Sequence, residues 1–250
     1  MERGPGVSLR TTRIVGWIVA LVVIATCSAL GQWQLTRMHD KRATLDAVDR
    51  VLAERTPGPL ARAAQPERAR DYDWAAGTGR FVDAPAFVLD NQIHAGQPGL
   101  RVYRLFQPTG GAPMLVDLGW TPIADRVTRL PAAEVVRGEG LLDRDIAVRG
   151  LLAPPPSAGL AMGPALGAGD AWLMTRFDAD AIAAAAGLQV PPRRVLRLDP
   201  ALPLGYARDL DVLPNTLSPD KHLGYAVQWF GLALAALVIA LVLTFRSVRR

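Results

Sequence analysis

The chain has 250 residues, of which half are hydrophobic and one fifth are charged, an apolar composition for a soluble protein. Its 28 basic and 23 acidic residues give a net charge of +5. The basic surplus lies entirely in the first thirteen and the last five residues, so the rest of the chain is electrically balanced. A balanced surface has no field that would follow a phosphate backbone, which excludes nucleic-acid binding as a function class.

Two apolar runs, residues 14–30 and 225–245, are each long enough to cross about 30 Å of hydrocarbon as an α-helix. Arginines precede the first run and follow the second, so the positive-inside rule predicts that both termini are cytoplasmic. A cleaved signal peptide is the alternative interpretation of the first run. The helical pattern continues beyond it without a break, which favours a retained anchor. Cys27, the single cysteine, lies in this run, so no disulfide is predicted.

These patterns predict an α+β membrane protein in which two transmembrane helices flank a mainly antiparallel β domain. The predicted segments are a cytoplasmic tail (residues 1–13), a transmembrane helix (14–31), an amphipathic helical stalk (32–56), an extracytoplasmic mainly-β domain (57–221), a second transmembrane helix (222–245) and a cytoplasmic tail (246–250). The predicted location is therefore the cell membrane, as a multi-pass protein.

Short segments rich in β-branched and aromatic residues predict five strands in the central domain. They cover residues 81–90, 102–107, 114–120, 146–152 and 194–198, with a hairpin connection at 107–111. The charged stretch before them, up to residue 70, indicates a surface connection, and the Pro- and Gly-rich stretch 153–170 indicates a long surface loop. Asp178 or Asp180 can cap a short helix that Gly187 ends.

The central domain contains none of the common catalytic motifs, so the chain is predicted not to be an enzyme. Its serines are Ser157 and Ser218, without a nucleophile elbow. The acidic pairs Asp143 with Asp145 and Asp178 with Asp180 lie where caps and turns are expected, which favours a structural role over acid–base catalysis. Met38 beside His39 leaves a copper site open, although methionine on an apolar helix face usually packs.

The unusual residues lie where the two apolar runs meet the outer membrane surface. Trp33, Arg37 and Lys41 follow the first run, and His222, Tyr225 and Trp229 begin the second. The latter three are spaced i, i+3 and i+7, which places them on one helical face. An interfacial belt is the alternative explanation of the aromatic residues.

Two further polar side chains in this region need partners. Arg37 could meet an anionic ligand group or a lipid phosphate. Gln228 lies inside an apolar helix, where an amide needs a partner across a helix interface, and Gln34 or Gln32 is the expected one.

At these motifs the sequence resembles the Surfeit locus protein 1 family, the membrane assembly factors of haem-copper cytochrome c oxidase. The resemblance is carried by three motifs: Gly31 to Arg37 with Lys41 after the first helix, Leu115 to Pro122 in the centre, and His222 to Phe230 at the start of the second helix.

The resemblance implies a non-enzymatic role in the biogenesis of an aa3-type oxidase, in which the protein binds haem a and helps insert it into the catalytic subunit. It implies His222 as the candidate haem iron ligand, and the oxidase catalytic subunit and the haem a synthesis machinery as partners, with membrane lipid around the helices. Together with the spacing argument above, this predicts a membrane-edge pocket for haem a formed by His222, Tyr225, Trp229, Trp33 and Arg37. The alternative is a cofactor-free membrane clamp for an oxidase subunit during assembly.

Overall fold

The computed structural model describes residues 9–124, 130–132, 134–135, 138, 140–142, 144–156, 166–167, 171–213 and 216–248. Asp143, Ser157 and most of the predicted loop 153–170 lie outside the described residues. The chain divides into two units, which are treated separately below. One, the helix pair, comprises Met1–Asp46 and Thr216–Arg250, and the other, the barrel domain, comprises Ala47–Asn215.

The helix pair is built from α1, Leu9–Glu54, and α3, Pro219–Val248. Both helices are long and apolar enough to cross a membrane by length and composition. The indole N–H of Trp17 donates a hydrogen bond to the Thr244 hydroxyl, and Gly31 lies against Phe230. Residue numbers on α3 therefore fall as those on α1 rise. The two helices are therefore antiparallel.

A narrow seam of buried side chains joins the two helices. On α1 it comprises Cys27, Gly31, Gln34 and Met38, and on α3 it comprises His222, Ala226 and Ala233. Spacings of three, four or seven residues keep each set on one helical face, as in two-stranded antiparallel packing. Small residues in this seam allow the two backbones to approach closely.

The barrel domain contains eight strands: β1 (Gly58–Pro59), β2 (Asp73–Phe81), β3 (Ala86–His94), β4 (Gln97–Pro108), β5 (Met114–Thr121), β6 (Ile146–Ala153), β7 (Ala171–Met174) and β8 (Val195–Leu198). Pairing runs from β2 through β6, β8, β5 and β4 and returns to β2, so these five strands close into a barrel. β3 and β7 extend the sheet from β4, and β1 extends it from β2.

The barrel interior is one apolar cluster to which all five closing strands contribute. Successive residues of a strand face opposite sides of the sheet. Leu152 of β6 lies in the barrel interior, and its neighbour Leu151 lies outside, against Trp74 of β2 and Val48 of α1. On another outer face, Ile182 of α2 (Ala179–Ala186) packs on Phe87 and Tyr103. The barrel is thus covered by the last turns of α1 and by α2.

The predicted fold class is confirmed, with one refinement: the sheet is mixed. Among the described strands β1 pairs with β2, β3 with β7 and β5 with β8 in parallel, and the other pairings are antiparallel. Asp178 caps α2 and Gly187 ends it in the left-handed conformation, as predicted. The hairpin between β4 and β5 also lies where it was predicted.

Some sequence predictions in the barrel domain were wrong. Residues 81–90 do not form one strand, because Phe81 ends β2 and β3 begins only after Pro85, which has no amide hydrogen for a ladder. The strands β2 and β7 were not predicted. The stretch up to residue 70 is not only a surface connection, since its 3₁₀ helix Leu60–Ala64 buries Leu60 in the barrel interior.

Candidate functional site

His222 and Gln34 form a buried polar pair in the seam between α1 and α3. The His222 Nδ1 atom lies 2.6 Å from the Gln34 Oε1 atom, and both side chains are buried. His222 lies four residues before Ala226 on α3, and Gln34 lies three residues after Gly31 on α1, so both occupy seam positions. The two helices therefore bring together residues that are 188 positions apart in the chain.

The direction of this hydrogen bond defines the state of the imidazole. An amide oxygen can only accept, so Nδ1 of His222 donates and carries the hydrogen. In the neutral ring Nε2 then holds a lone pair. This Nε2 atom is buried and has no hydrogen-bond partner among the described residues. A buried nitrogen lone pair without a partner is costly unless it serves a ligand.

Phe230 of α3 packs against α1 at Gly31, one helical turn from Gln34. A Cβ atom built on Gly31 would lie 2.8 Å from the Phe230 ring, so a larger residue there must displace this ring. The contact joins the first and the last of the three motifs identified in the sequence.

One side of the seam carries Trp33, Arg37 and Tyr225, here called the aromatic flank. Successive residues of an α-helix are rotated by about 100° around its axis, so Trp33 lies about 100° and Arg37 about 60° from Gln34, both in the same direction of rotation. Tyr225 lies about 60° from His222 in that direction too. In two antiparallel helices that face each other, rotation in the same direction leads to the same side of the pair. Trp33 is 50% exposed and Tyr225 43%, and the Arg37 guanidinium lies 5.9 Å from the Trp33 ring centroid.

Polar contacts fix the end of the helix pair beyond this site. The Lys41 ammonium donates to the Leu217 carbonyl oxygen, and Arg42 pairs with Asp220 at 3.2 Å. The Ser218 hydroxyl accepts from the Lys221 amide at the start of α3. These contacts hold the helix start that carries His222 against α1.

The structure thus brings His222 to Gln34 and groups three predicted site residues on the aromatic flank, with Trp229 half-buried beside the seam. The expected pairing of Gln228 with Gln34 is wrong, because Gln34 accepts from His222, and Gln228 and Gln32 are both exposed. Sequence reasoning missed the role of Gln34. Its spacing with Cys27, Gly31 and Met38 marks one face of α1, but only the structure shows that this face meets α3. Met38 is buried in the seam and His39 is exposed.

The barrel domain holds several buried ion pairs. Arg101 pairs with Asp117 at 2.7 Å on adjacent strands β4 and β5, and Asp117 also accepts the Gly119 amide. Burial raises the pKa of nearby Tyr103, whose hydroxyl stays neutral. No group of three or more histidine, cysteine or acidic side chains suited to a metal ion occurs among the described residues. These contacts stabilise the barrel and form no recognisable catalytic arrangement.

Two antiparallel helices able to span a membrane, with the barrel domain between them in the chain, define a two-span membrane protein. The model of the SURF1 family, the Surfeit locus protein 1 family named above, matches residues 21–234. The chain therefore belongs to the SURF1 family, whose members are cytochrome c oxidase assembly factors rather than enzymes. A comparison with curated proteins gives no match.

Proposed function

We propose that the protein serves an aa3-type cytochrome c oxidase by holding haem a at the helix pair and passing it to the oxidase catalytic subunit. Haem a is here the cargo, received from the haem a synthesis machinery. The observation that supports the proposal is the buried Nε2 lone pair of His222, which is oriented by Gln34 and has no partner among the described residues.

The residues around His222 fit a flat amphipathic ring with an apolar tail. When bound, haem a supplies an iron that accepts an imidazole nitrogen, and Nε2 of His222 is the nitrogen available. The aromatic flank offers the rings of Trp33 and Tyr225 as apolar walls, with Trp229 beside them. Arg37 can pair with a propionate or with a lipid phosphate. A neutral imidazole bond can be exchanged for ligands of the acceptor protein.

The proposed site also fits the proposed location. Haem a partitions into lipid through its tail, and a site on helices able to span a membrane receives it without a transfer through water. We propose that the protein lies in the cell membrane with both termini cytoplasmic and the barrel domain extracytoplasmic, as the flanking arginines indicate.

The alternative is a membrane clamp that binds an oxidase subunit and no cofactor. The enclosure of Nε2 in the structure favours it, because an iron could reach this atom only after the covering groups move. In that case the exposed aromatic flank would contact a helix of the oxidase subunit.

The test is the visible absorption spectrum of the protein, purified in detergent after co-expression with haem a synthesis enzymes. We expect a haem a spectrum in the oxidised and reduced wild type, its loss in His222→Ala, and no change in His39→Ala. His39 is the matched control because it is exposed on α1. A colourless wild type would support the clamp, and unchanged haem in His222→Ala would refute the ligand assignment.

A further inference from the structure

We propose that Gln34 is a positioning residue that holds His222 in the tautomer required for iron binding. This inference rests on the haem-binding function proposed above. It concerns a residue of the first helix that does not itself touch the iron, and it assigns the hydrogen bond across the seam a chemical role beyond packing.

The first argument is the polarity of the Gln34 oxygen. The Oε1 atom lies 2.6 Å from Nδ1 of His222 and accepts its hydrogen, so the imidazole is held with Nε2 deprotonated. In the opposite tautomer Nε2 would carry the hydrogen and could not bind iron. The acceptor on Nδ1 therefore selects the ligand form, as the outer partners of metal-bound histidines commonly do.

The second argument is the location of Gln34. It is buried in a seam whose other α1 members are Cys27, Gly31 and Met38, where an apolar side chain would pack as well. The neighbouring Gln32 is exposed and has no seam contact. Gly31 lies one helical turn before Gln34 and packs directly on Phe230, so the local backbone of α1 is held close to α3.

The third argument is the contrast between the two ring nitrogens. Nδ1 has a short, buried partner, and Nε2 has none among the described residues. A pair that served only to join two helices could use any polar contact between them. In His222 one ring nitrogen is held by a hydrogen bond and the other keeps its lone pair. This is the pattern of a metal-binding histidine and the residue that supports it.

The first measurement uses the full-length apo protein from cells without haem a synthesis, with ¹⁵N-labelled histidine imidazoles. The chain has only three histidines, so the signals of His222 are identified by their loss in His222→Ala. We expect Nδ1 to be protonated and Nε2 deprotonated in the wild type and in Gln34→Glu, which keeps an acceptor. In Gln34→Leu we expect the Nε2–H tautomer to appear, and Gln32→Leu is the matched control without change.

The second measurement adds ferric haem a to the same purified proteins. We expect Gln34→Leu to lower the affinity about tenfold or more, and Gln34→Glu to retain binding with a lower reduction potential, since a carboxylate makes the imidazole more electron-rich. The added charge lowers the potential in either case, so the tautomer measured in the apo protein is the readout that a merely structural role would not move.

The outcomes separate the two proposals. A His222 tautomer that does not depend on Gln34, or an unchanged affinity and potential in both Gln34 variants, overturns the positioning role even if haem a binds. A Gln34-dependent tautomer in a protein that takes up no haem a overturns the haem-binding function and, with it, the role of Gln34 toward iron. If Gln34→Leu does not fold, Gln34→Met takes its place, because methionine keeps the unbranched shape of glutamine and lacks the amide oxygen that accepts from Nδ1.

Discussion

Gly31 leaves no room for a side chain against the Phe230 ring. A valine there would have to displace this ring, and overpacking of this kind costs about 1–3 kcal/mol. We expect Gly31→Val to lower the unfolding free energy of the helix pair, measured by denaturing-detergent titration. Gly16→Val on the same helix is the control, because nothing lies within 4 Å of its Cβ position. Phe230→Ala should relieve much of the loss in the double mutant, and purely additive effects would contradict the contact.

Asp73 is held by three guanidinium groups in the barrel domain. Arg68 lies 2.6 Å, Arg194 2.7 Å and Arg62 3.4 Å from its carboxylate oxygens. Burial alone would raise the pKa of Asp73, but the hydrogen bonds from Arg194 and Arg68 outweigh it, so its pKa is lowered from the ordinary value of an aspartate. A lowered folded-state pKa contributes stability that is complete above the unfolded value and is lost as the pH falls through the folded value.

We therefore expect the barrel domain to lose stability below about pH 4. Asp73→Asn should lower stability at neutral pH, because it leaves the buried Arg194 without a carboxylate, and should flatten the acid part of the profile. The measurement is hydrogen exchange of the β2 amides against pH. Asp145→Asn, which removes an exposed partner of Arg80, is the control. If the stability of Asp73→Asn falls as steeply with acid as that of the wild type, Asp73 is not the group responsible for the loss.

At the scale of the elements, α2 depends on its first-turn cap. The Asp178 carboxylate accepts the Ala181 amide at 3.0 Å, and this bond is the main cause of its lowered pKa. Asp178→Ala should destabilise α2 by about 0.5–2 kcal/mol, whereas Asp178→Asn keeps an acceptor and should cost far less. Hydrogen exchange of residues 179–186 checks this, with Asp180→Ala as the control. Equal exchange in the alanine and asparagine variants would refute the cap.

The strands that sequence patterns predicted are those with a dense run of β-branched and large apolar residues, such as β5 and β6. The strand β2 was missed because Asp73 to Phe81 contains two alanines and two glycines. Its glycine content has a topological cause. Gly79 pairs with both Ile146 of β6 and Pro108 of β4, and a Cβ there would clash with the backbone oxygen of Gln107. Closure of the barrel, which is a tertiary property, requires this residue.

The candidate site shows the same limit of local patterns. The aromatic residues and His222 could be singled out from sequence because they stand where an apolar run begins or ends. The partner of His222 could not, since the choice among Gln32, Gln34 and Gln228 depends on which face of α1 meets α3. That face is fixed by Gly31 and Phe230, a contact between distant parts of the chain.

At the scale of the whole molecule, the family and the two apolar helices are consistent with a domain held on one side of a membrane. The barrel domain is inserted between the helices in the chain, so the start of α3 must return to the membrane surface that α1 leaves. In the proposed membrane arrangement, His222, Gln34 and the aromatic flank lie near that surface. The orientation then sets the side of the bilayer on which the proposed haem site lies.

The proposed orientation predicts which residues a membrane-impermeant maleimide can reach in intact cells. In a Cys27→Ala background, Gly110→Cys lies in the exposed hairpin between β4 and β5, and Ser247→Cys lies near the end of α3 and leaves every arginine in place. We expect labelling of the first variant in intact cells, and of the second only after lysis, because flanking arginines favour the cytoplasmic side. Labelling of Ser247→Cys in intact cells would reverse the proposed orientation and move the proposed haem site to the cytoplasmic surface.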